Sequence, residues 1–318
     1  MKFDMMKLSP GSSCSILSFS LLPVSLISFL FFVIYPNEFR LQSLLTSSSH
    51  CTNSSSVAAL VESVTPKSDF RLLMGILSLP DNYERRHLLR DVYALQFRDF
   101  PGATIDVRFV FCNLTKDEER ILVGVEILLH RDIIILNCQE NMDRGKTYTY
   151  FSTVAKLFSH APYDYVMKVD DDAYFRLGKL AELLREMPRA EVYYGLNNWC
   201  STRHKVPEYM LGMGYGLSWD LVEWVATSDI PRKHAVGPED FQTGVWIKEG
   251  KNGTRTFYNM EPRMHDFNEE ESSTCYRHDM IPDSMTVHKL KSRQRWAATL
   301  SYFNVTAGVY PSKLYHLN

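Results

Sequence analysis

Short apolar runs alternate with segments of helical periodicity along most of the chain, and this alternation constrains the fold more than any other feature. The runs are rich in Val, Ile, Tyr and Phe, which is typical of buried strands. They cover Phe70–Leu79, Ile105–Cys112, Ile133–Cys138, Tyr163–Val169 and Glu191–Leu196. Helices are predicted over 116–131, 145–161, Leu177–Met187 and Trp219–Thr227. Because strand–helix–strand units form parallel sheets, the pattern predicts an α/β fold with a mostly parallel central sheet and helices on both faces.

The predicted helix over 116–131 opens with four polar residues and then shows one apolar face. That face recurs at positions i, i+1, i+4, i+7 and i+8, and it comprises Ile121, Leu122, Val125, Leu128 and Leu129. A stripe of this kind is typical of the side that a helix turns toward a core.

Three consecutive acids follow the strand predicted over Tyr163–Val169, where the sequence reads YDYVMKVDDD. Adjacent like charges at the end of a buried strand repel one another unless a cation balances them. Alternation along an extended chain sends Asp170 and Asp172 to one side and Asp171 to the other. Parallel sheets bind ligands at the carboxyl ends of their strands, and paired carboxylates suit a hard divalent ion. The run therefore predicts a metal site that holds a diphosphate.

Two other interpretations of the acidic run stay open. The first is a solvated acidic turn before the helix that starts near Leu177. The second is a structural calcium loop, although such loops space their acids at alternate positions around a glycine turn. Here the acids are contiguous and Gly178 comes late, which disfavours calcium.

The amino-terminal segment predicts a membrane anchor. Residues 16–35 carry no charge and are long enough to cross a bilayer, which takes about 20 residues. Lys2 and Lys7 precede this segment, so the positive-inside rule favours a cytoplasmic tail over 1–15 and a luminal body. A Ser- and Thr-rich stem is predicted over 36–68 and a single luminal domain over 69–318. The alternative is a cleaved signal peptide.

Sequons and cysteines fit a luminal body. N-x-S/T tripeptides predict N-glycosylation at Asn53, Asn113, Asn252 and Asn304. Cys112 and Cys138 end two successive predicted strands, and either a disulfide or two buried thiols would suit them. The net charge of −2 gives no reason to expect a nucleic-acid partner.

Four segments, in order, resemble motifs of the beta-1,3-galactosyltransferase family, which is glycosyltransferase family 31. They are RRHLLRDVY at 85–93, KVDDD at 168–172, YMLGMGYGLS at 209–218 and EDFQTG at 239–244. The segment ENMDRGKTYTYF and the short stem are most similar to the plant branch of that family. The resemblance runs from about Arg71 to Val287. Departures are Tyr93 in place of the usual Trp, Phe241 in place of Val, and a loosely matching segment at 141–150. The resemblance implies a GT-A fold, Mn²⁺, a UDP-sugar donor and inversion at the anomeric carbon.

The resemblance also implies roles for individual residues. Asp240 is the predicted general base, which takes the proton of the acceptor hydroxyl. The predicted metal ligands are Asp172, His288 and Asp170. The predicted donor-binding residues are Arg86, Arg90, Lys168, Asp170, Asp171, Gly214, Tyr215 and Glu239.

Each role has a structural alternative. Acids in the first turn of a helix, such as Glu239 and Asp240, are also favoured by the helix dipole. Arg86 and Arg90 are one turn apart and would also suit a solvated helix face. The alternating glycines at 212, 214 and 216 would also suit a bulged strand.

These observations together predict a metal-dependent enzyme of the Golgi membrane with a single transmembrane segment and a luminal catalytic domain. It would transfer galactose from UDP-galactose to a glycan or glycoprotein with a beta-1,3 linkage. The alternatives are a related transferase that uses UDP-N-acetylglucosamine and a non-catalytic family member that binds glycans or serves as a scaffold.

Overall fold

The computed structural model describes residues 69–96, 102–198, 208–251, 256–268, 276–314 and 316. The predicted cytoplasmic tail, transmembrane segment and stem lie outside these residues, as do the sequons at Asn53 and Asn252. Among the helices of the described ranges, none combines the length and the apolar character that crossing a bilayer requires.

Ten strands occur in the described part of the chain. They are β1 (Phe70–Leu77), β2 (Ala103–Phe111), β3 (Ile133–Ile135), β4 (Tyr165–Asp170), β5 (Tyr174–Phe175), β6 (Val192–Asn197), β7 (Met210–Ser218), β8 (Thr256–Asn259), β9 (Met264–Asp266) and β10 (Thr286–His288).

Seven of these strands form a central sheet in the order β3-β2-β1-β4-β7-β6-β8. Strands β3, β2, β1 and β4 are parallel, β7 runs antiparallel to both of its neighbours, and β8 is parallel to β6. The sheet is therefore mostly parallel, as predicted. Each of the five predicted apolar runs overlaps one of its strands.

The helices of the described ranges are α1 (Tyr83–Gln96), α2 (Asp117–His130), α3 (Lys146–Leu157), α4 (Leu177–Glu186), α5 (Trp219–Thr227), α6 (Asp229–Lys233), α7 (Glu239–Gly250) and α8 (Arg293–Tyr302). Two of them begin with a serine cap. The hydroxyl oxygen of Ser228 accepts a hydrogen bond from the amide of Ile230, and that of Ser292 accepts one from the amide of Arg295. Such caps satisfy an amide that has no partner within the helix.

Helices cover both faces of the sheet, which confirms the predicted layering. Alternate residues of β1 show this directly, because successive side chains of a strand point to opposite faces. Leu72, Met74 and Ile76 join a core with residues of α1, α4 and α8. Leu73 and Leu77 join a second core with residues of α3, α5 and α7.

The orientation of α2 differs from the prediction. The predicted apolar face, from Ile121 to Leu129, is exposed, and Glu119, Val123 and Glu126 are the buried residues of the helix. Ion pairs of Glu126 with two arginines of α1 hold this orientation. An apolar stripe in the sequence does not predict this reversed orientation. A charged side chain such as Glu126 is buried only where partners of opposite charge lie, and these partners are on α1.

A second, three-stranded sheet follows the acidic run. Its order is β5-β10-β9, with β5 antiparallel and β9 parallel to β10. The backbone amide of Leu290 donates a hydrogen bond of 2.9 Å to the carbonyl of Asp172. This sheet therefore brings the end of β10 against the acidic run.

Cys112 and Cys138 form a disulfide, which confirms the first of the two alternatives for this pair. The bond joins the end of β2 to the segment that follows β3.

Candidate active site

The acidic run leaves β4 at the carboxyl edge of the sheet, between the ends of β1 and β7. Its three side chains separate as the extended chain predicts. Asp170 and Asp172 turn toward β10, and Asp171 turns toward the loop that follows β1.

Asp171 fastens the acidic run to the start of α1. Its carboxylate accepts hydrogen bonds of 2.8 Å from Ser78, Asn82 and Arg85. A carboxylate with three donors has little need of a cation. Arg85 was not among the predicted site residues. No signal in the sequence distinguishes it from the adjacent Arg86.

Asp170, Asp172 and His288 form a cluster whose ligand atoms all lie within 4.8 Å of one another. The Nε2 atom of His288 is 3.1 Å from Asp172 and 3.6 Å from Asp170. The structure thus brings together the three predicted metal ligands from distant parts of the chain. Two carboxylates and one imidazole are a donor set that suits a divalent metal ion.

A further carboxylate lies behind His288. Asp266 of β9 is the register partner of His288 on β10, and its Oδ1 atom is 2.7 Å from Nδ1 of the imidazole. Lys289 approaches the other oxygen of Asp266 at 2.9 Å. Carboxylates that bind the second nitrogen of a metal-ligand histidine fix its tautomer and the direction of its ring.

Charge balance within the cluster shifts two pKa values. Burial alone would lower the pKa of His288, but its contacts with Asp170, Asp172 and Asp266 outweigh burial and raise the pKa to about 10. Burial alone would raise the pKa of Asp170, but Lys168 and His288 together lower it to about 2. The ionised carboxylates therefore attract a positive charge to this position.

Lys168 links the cluster to α7. Its fully buried ammonium group donates to Asp170 at 2.7 Å, to the carbonyl of Gly212 at 2.6 Å and to Glu239 at 2.6 Å. Burial disfavours the charged form, but Asp170 and Glu239 raise the pKa of Lys168 above its ordinary value. Lys168 is thus a fixed positive charge between the two acidic groups.

Glu239 holds the other side of this network. Tyr215 donates to its Oε2 atom at 2.9 Å, and the Tyr215 hydroxyl also contacts Thr243 at 2.9 Å. Tyr215 is fully buried and its hydroxyl is engaged here. These contacts give Tyr215 and Glu239 positioning roles, and direct contact with a donor stays a prediction for both.

The alternating glycines serve close packing. A Cβ atom on Gly212 would lie 2.9 Å from Glu239, and one on Gly214 would lie 2.5 Å from the ring of Phe175. Gly214 thus packs beneath an aromatic ring rather than against open space. Its predicted contact with the donor has no support in this geometry.

Asp240 lies at the start of α7, next to Glu239. Its Oδ1 atom accepts a hydrogen bond of 2.8 Å from the amide of Phe241. Burial raises the pKa of Asp240, which makes its carboxylate more basic than an exposed one. Glu239, the residue before Asp240, shares Lys168 with Asp170, so the predicted base lies on the same edge of the sheet as the acidic cluster.

Arg86 and Arg90 belong to an ion-pair network between α1 and α2. Arg86 is fully buried and contacts Glu126 at 2.5 Å, and its guanidinium also donates to the carbonyls of Leu79 and Pro80. Arg90 contacts Glu126 and Asp132, each at 2.8 Å. Both guanidinium groups are engaged with protein acceptors. Their predicted donor contacts stay predictions.

Lys146, in the loosely matching segment, is also buried. Its ammonium group contacts Glu140 and donates to the carbonyl of Ser78 at 2.8 Å. Burial lowers the pKa of Lys146, against the opposing effect of Glu140. This lysine supports the loop after β1 through the Ser78 carbonyl.

A cleft of about 820 Å³ opens beside the cluster. Its walls are the start of α1, from Asp81 to Leu88, and the segment from Leu290 to Leu300. Arg85 lines this cleft and also contacts Asp171, so the cleft borders the acidic run.

Two predicted sequons, Asn113 and Asn304, are exposed.

Known proteins share these features. The family model described as Galactosyltransferase matches residues 84–198, a range that contains the arginine motif and the acidic run. A beta-1,3-galactosyltransferase of Schizosaccharomyces pombe is 27% identical over an alignment of 285 positions, and the alignment covers 70% of this chain and 72% of that protein. The chain resembles the beta-1,3-galactosyltransferase family. It is therefore an enzyme of the galactosyltransferase class.

Plant proteins of the family are similar as well. A hydroxyproline O-galactosyltransferase of Arabidopsis thaliana is 26% identical over an alignment of 212 positions, which covers 60% of this chain and 31% of the plant protein.

Among solved structures, a galactosyltransferase crystallised with donor and acceptor sugar analogues aligns with 76% of this chain and 98% of its own, at 13% identity and a TM-score of 0.44.

The matched family range ends before Asp240 and His288. The case for these two residues therefore rests on where the structure places them.

Proposed function

We propose that the chain transfers galactose from UDP-galactose to a hydroxyl group of a glycan or glycoprotein, with inversion and formation of a beta-1,3 linkage. We also propose a GT-A-type arrangement, with Mn²⁺ bound by Asp170, Asp172 and His288. One observation carries the proposal: these three side chains meet within 4.8 Å at the edge of the sheet that also carries Asp240.

The cluster fits a divalent cation in two respects, which are the type of its ligand atoms and the orientation of its imidazole. Its donor set is two carboxylate oxygens and one imidazole nitrogen, and Asp266 already directs the imidazole. When bound, Mn²⁺ supplies the positive charge that stabilises a departing diphosphate.

The remaining roles, which are proton transfer and positioning, belong to side chains of the protein. Asp240, with its raised pKa, takes the proton of the attacking acceptor hydroxyl. Lys168 keeps Asp170 ionised, because its ammonium group lies 2.7 Å from that carboxylate. Lys168 also fixes Glu239, which precedes Asp240 in the chain.

The cleft beside the acidic run has a volume of about 820 Å³, within the range of small-molecule and cofactor pockets, which is about 300–1,000 Å³. Its lining includes Arg85, Lys291 and Arg293, whose positive charges suit a diphosphate. The cleft therefore supports a nucleotide-linked donor.

We propose residence in the Golgi membrane, anchored by residues 16–35 with the catalytic domain in the lumen. The sequons and the disulfide support an oxidising, glycosylating compartment. The plant relative, by its name, acts on hydroxyproline. Cell-wall glycoproteins are therefore the acceptors proposed for a first screen.

The test is transfer by the full chain with UDP-galactose or UDP-N-acetylglucosamine, in Mn²⁺ and after chelation. The expected result is galactose transfer that chelation abolishes and that Mn²⁺ restores. Asp172→Asn should lose activity, and the matched control Asp283→Asn, at an exposed position, should retain it. Activity that survives chelation would refute the metal site, and a preference for the N-acetylglucosamine donor would refute the galactose assignment.

A further inference from the structure

Helix α2 presents an apolar face to the outside of the molecule. Its five residues, named here the α2 outer face, are each between 58% and 80% exposed, and they are Ile121, Leu122, Val125, Leu128 and Leu129. Monomeric proteins seldom expose contiguous apolar patches larger than a few hundred Å². Such a face marks a surface that another molecule covers.

The α2 outer face cannot turn inward, because the opposite side of the helix is fixed by charge. Glu126 accepts hydrogen bonds from Arg86 at 3.0 Å and from Arg90 at 2.8 Å, and all three groups are largely withdrawn from solvent. Rotation of the helix would leave two buried guanidinium groups without this partner, which is strongly unfavourable. The exposure is therefore built into the fold.

The spacing of the α2 outer face is symmetric about Val125. Its members lie at −4, −3, 0, +3 and +4 relative to that residue. A two-fold axis at Val125 would therefore align two antiparallel copies of the helix, with Ile121 against Leu129 and Leu122 against Leu128 of the second copy. A surface that is self-complementary in this way is what an isologous interface requires.

Gly124 adds an independent sign of close approach at the same point. In the described part of the chain, a Cβ atom on Gly124 would meet nothing within 4 Å, so packing against these residues does not require glycine there. Glycine in the middle of a helix is destabilising relative to alanine. A helix of a second copy that crosses next to Val125 explains why position 124 is glycine.

The charges at the two helix ends also favour an antiparallel second copy. Asp117 and Glu118 are exposed at the start of α2. The other end carries Arg131 and, beside it, Arg108, whose guanidinium donates to the Arg131 carbonyl at 2.9 Å. Antiparallel pairing places acids against bases and aligns the helix dipoles favourably, whereas parallel pairing does neither.

We propose that two copies of the chain associate through the α2 outer face, with the helices antiparallel about a two-fold axis at Val125. The stem over 36–68 and a bilayer surface are the competing occupants. Neither the stem nor a bilayer requires an apolar face that is symmetric about Val125. Ile135 of the adjoining edge strand β3 is exposed too, so the apolar surface is not confined to the helix.

Cysteine cross-linking of the full chain in membranes tests the arrangement. Val125→Cys lies on the proposed axis and should yield a disulfide-linked dimer above the background of the native cysteines. Leu95→Cys, at an exposed apolar position of α1, is the matched control and should not. Ile121→Cys and Leu129→Cys chains should cross-link to each other when co-expressed, and neither should cross-link efficiently with itself.

A second variant measures the association itself. Leu128→Glu changes the most exposed residue of the face, so folding should be unaffected and the dimer should be lost in light scattering of the full chain. Leu95→Glu should leave the dimer intact. A dimer that withstands Leu128→Glu would overturn the proposal.

Two further results would also overturn it. One is an intramolecular cross-link from Val125→Cys to Cys51, which would place the stem on the face. The other is a monomeric wild-type chain whose flotation with vesicles is lost in Leu128→Glu, which would place the bilayer there.

Discussion

The Nδ1 atom of His288 lies 2.7 Å from Oδ1 of Asp266, and the two residues are register partners on the parallel strands β9 and β10. This contact directs the Nε2 atom of the imidazole toward Asp172, at 3.1 Å. Asp266 is therefore a positioning residue for the candidate metal site.

Replacing Asp266 should weaken metal binding without removing a ligand. We expect Asp266→Asn to lower the affinity for Mn²⁺ about 10–100-fold, because the amide binds the imidazole less strongly and fixes its ring less well. Titration of Mn²⁺ by electron paramagnetic resonance measures this directly. Asp91→Asn, at an exposed position of α1, is the control and should bind Mn²⁺ like the native chain. Equal affinities in both variants would contradict the positioning role.

Removing the proposed base should separate turnover from binding. Asp240→Asn keeps an oxygen that can accept from the Phe241 amide, so the start of α7 should be preserved. We expect transfer to fall about 10²–10⁴-fold, because the amide cannot take a proton. Calorimetric titration with UDP should be unchanged. Glu249→Gln, near the other end of α7, is the control, and a similar loss of turnover in both variants would argue against a base at Asp240.

The buried ion-pair network should matter for stability. We expect Glu126→Gln to destabilise the chain by about 3 kcal/mol, because it leaves the fully buried Arg86 without its charged partner. Urea unfolding measures the change in free energy. Glu118→Gln on the exposed side of the same helix should change stability by no more than about 0.5 kcal/mol. A small effect at Glu126 would mean that water reaches Arg86.

The contribution of Glu126 should also depend on pH. Burial alone would raise the pKa of Glu126, but hydrogen bonds from Arg86 and Arg90 outweigh burial and lower it. A carboxyl group with a lowered pKa in the folded state stabilises the fold fully above its unfolded pKa, about 4.3, and loses that contribution as the pH falls through the folded value.

The difference in unfolding free energy between the native chain and Glu126→Gln should therefore be constant from pH 7 to about 5.5 and should shrink at lower pH. Urea unfolding across this range, repeated with Glu118→Gln as the control, tests the sign. A difference that grows on acidification would show that the pKa of Glu126 is raised in the folded chain.

Much of the fold follows from local patterns. The five apolar runs were predicted as strands, and each overlaps a strand of the central sheet, because buried parallel strands need continuous apolar segments. The reversed direction of β7 was not predicted. The direction of a strand depends on the neighbours with which it pairs, and no local sequence pattern predicts that pairing.

The candidate site shows the same division. The side of the chain to which Asp170 and Asp172 turn follows from strand alternation, and the structure confirms it. Asp266 and Arg85 were missed because their importance lies in pairing across strands and loops. Arg85 lies in the motif at 85–93, but nothing in that motif distinguishes it from Arg86, and no motif surrounds Asp266.

By itself, the sequence determined the α/β layering, the position of the acidic run at a strand end and the family resemblance. These features depend on periodicity and on residues adjacent in the chain. Only the tertiary structure decided that Asp266 lies behind His288 and that the charged side of α2 faces inward. Both outcomes depend on partners distant in the chain, because a buried charge settles where its counter-charge lies rather than where local hydrophobicity points.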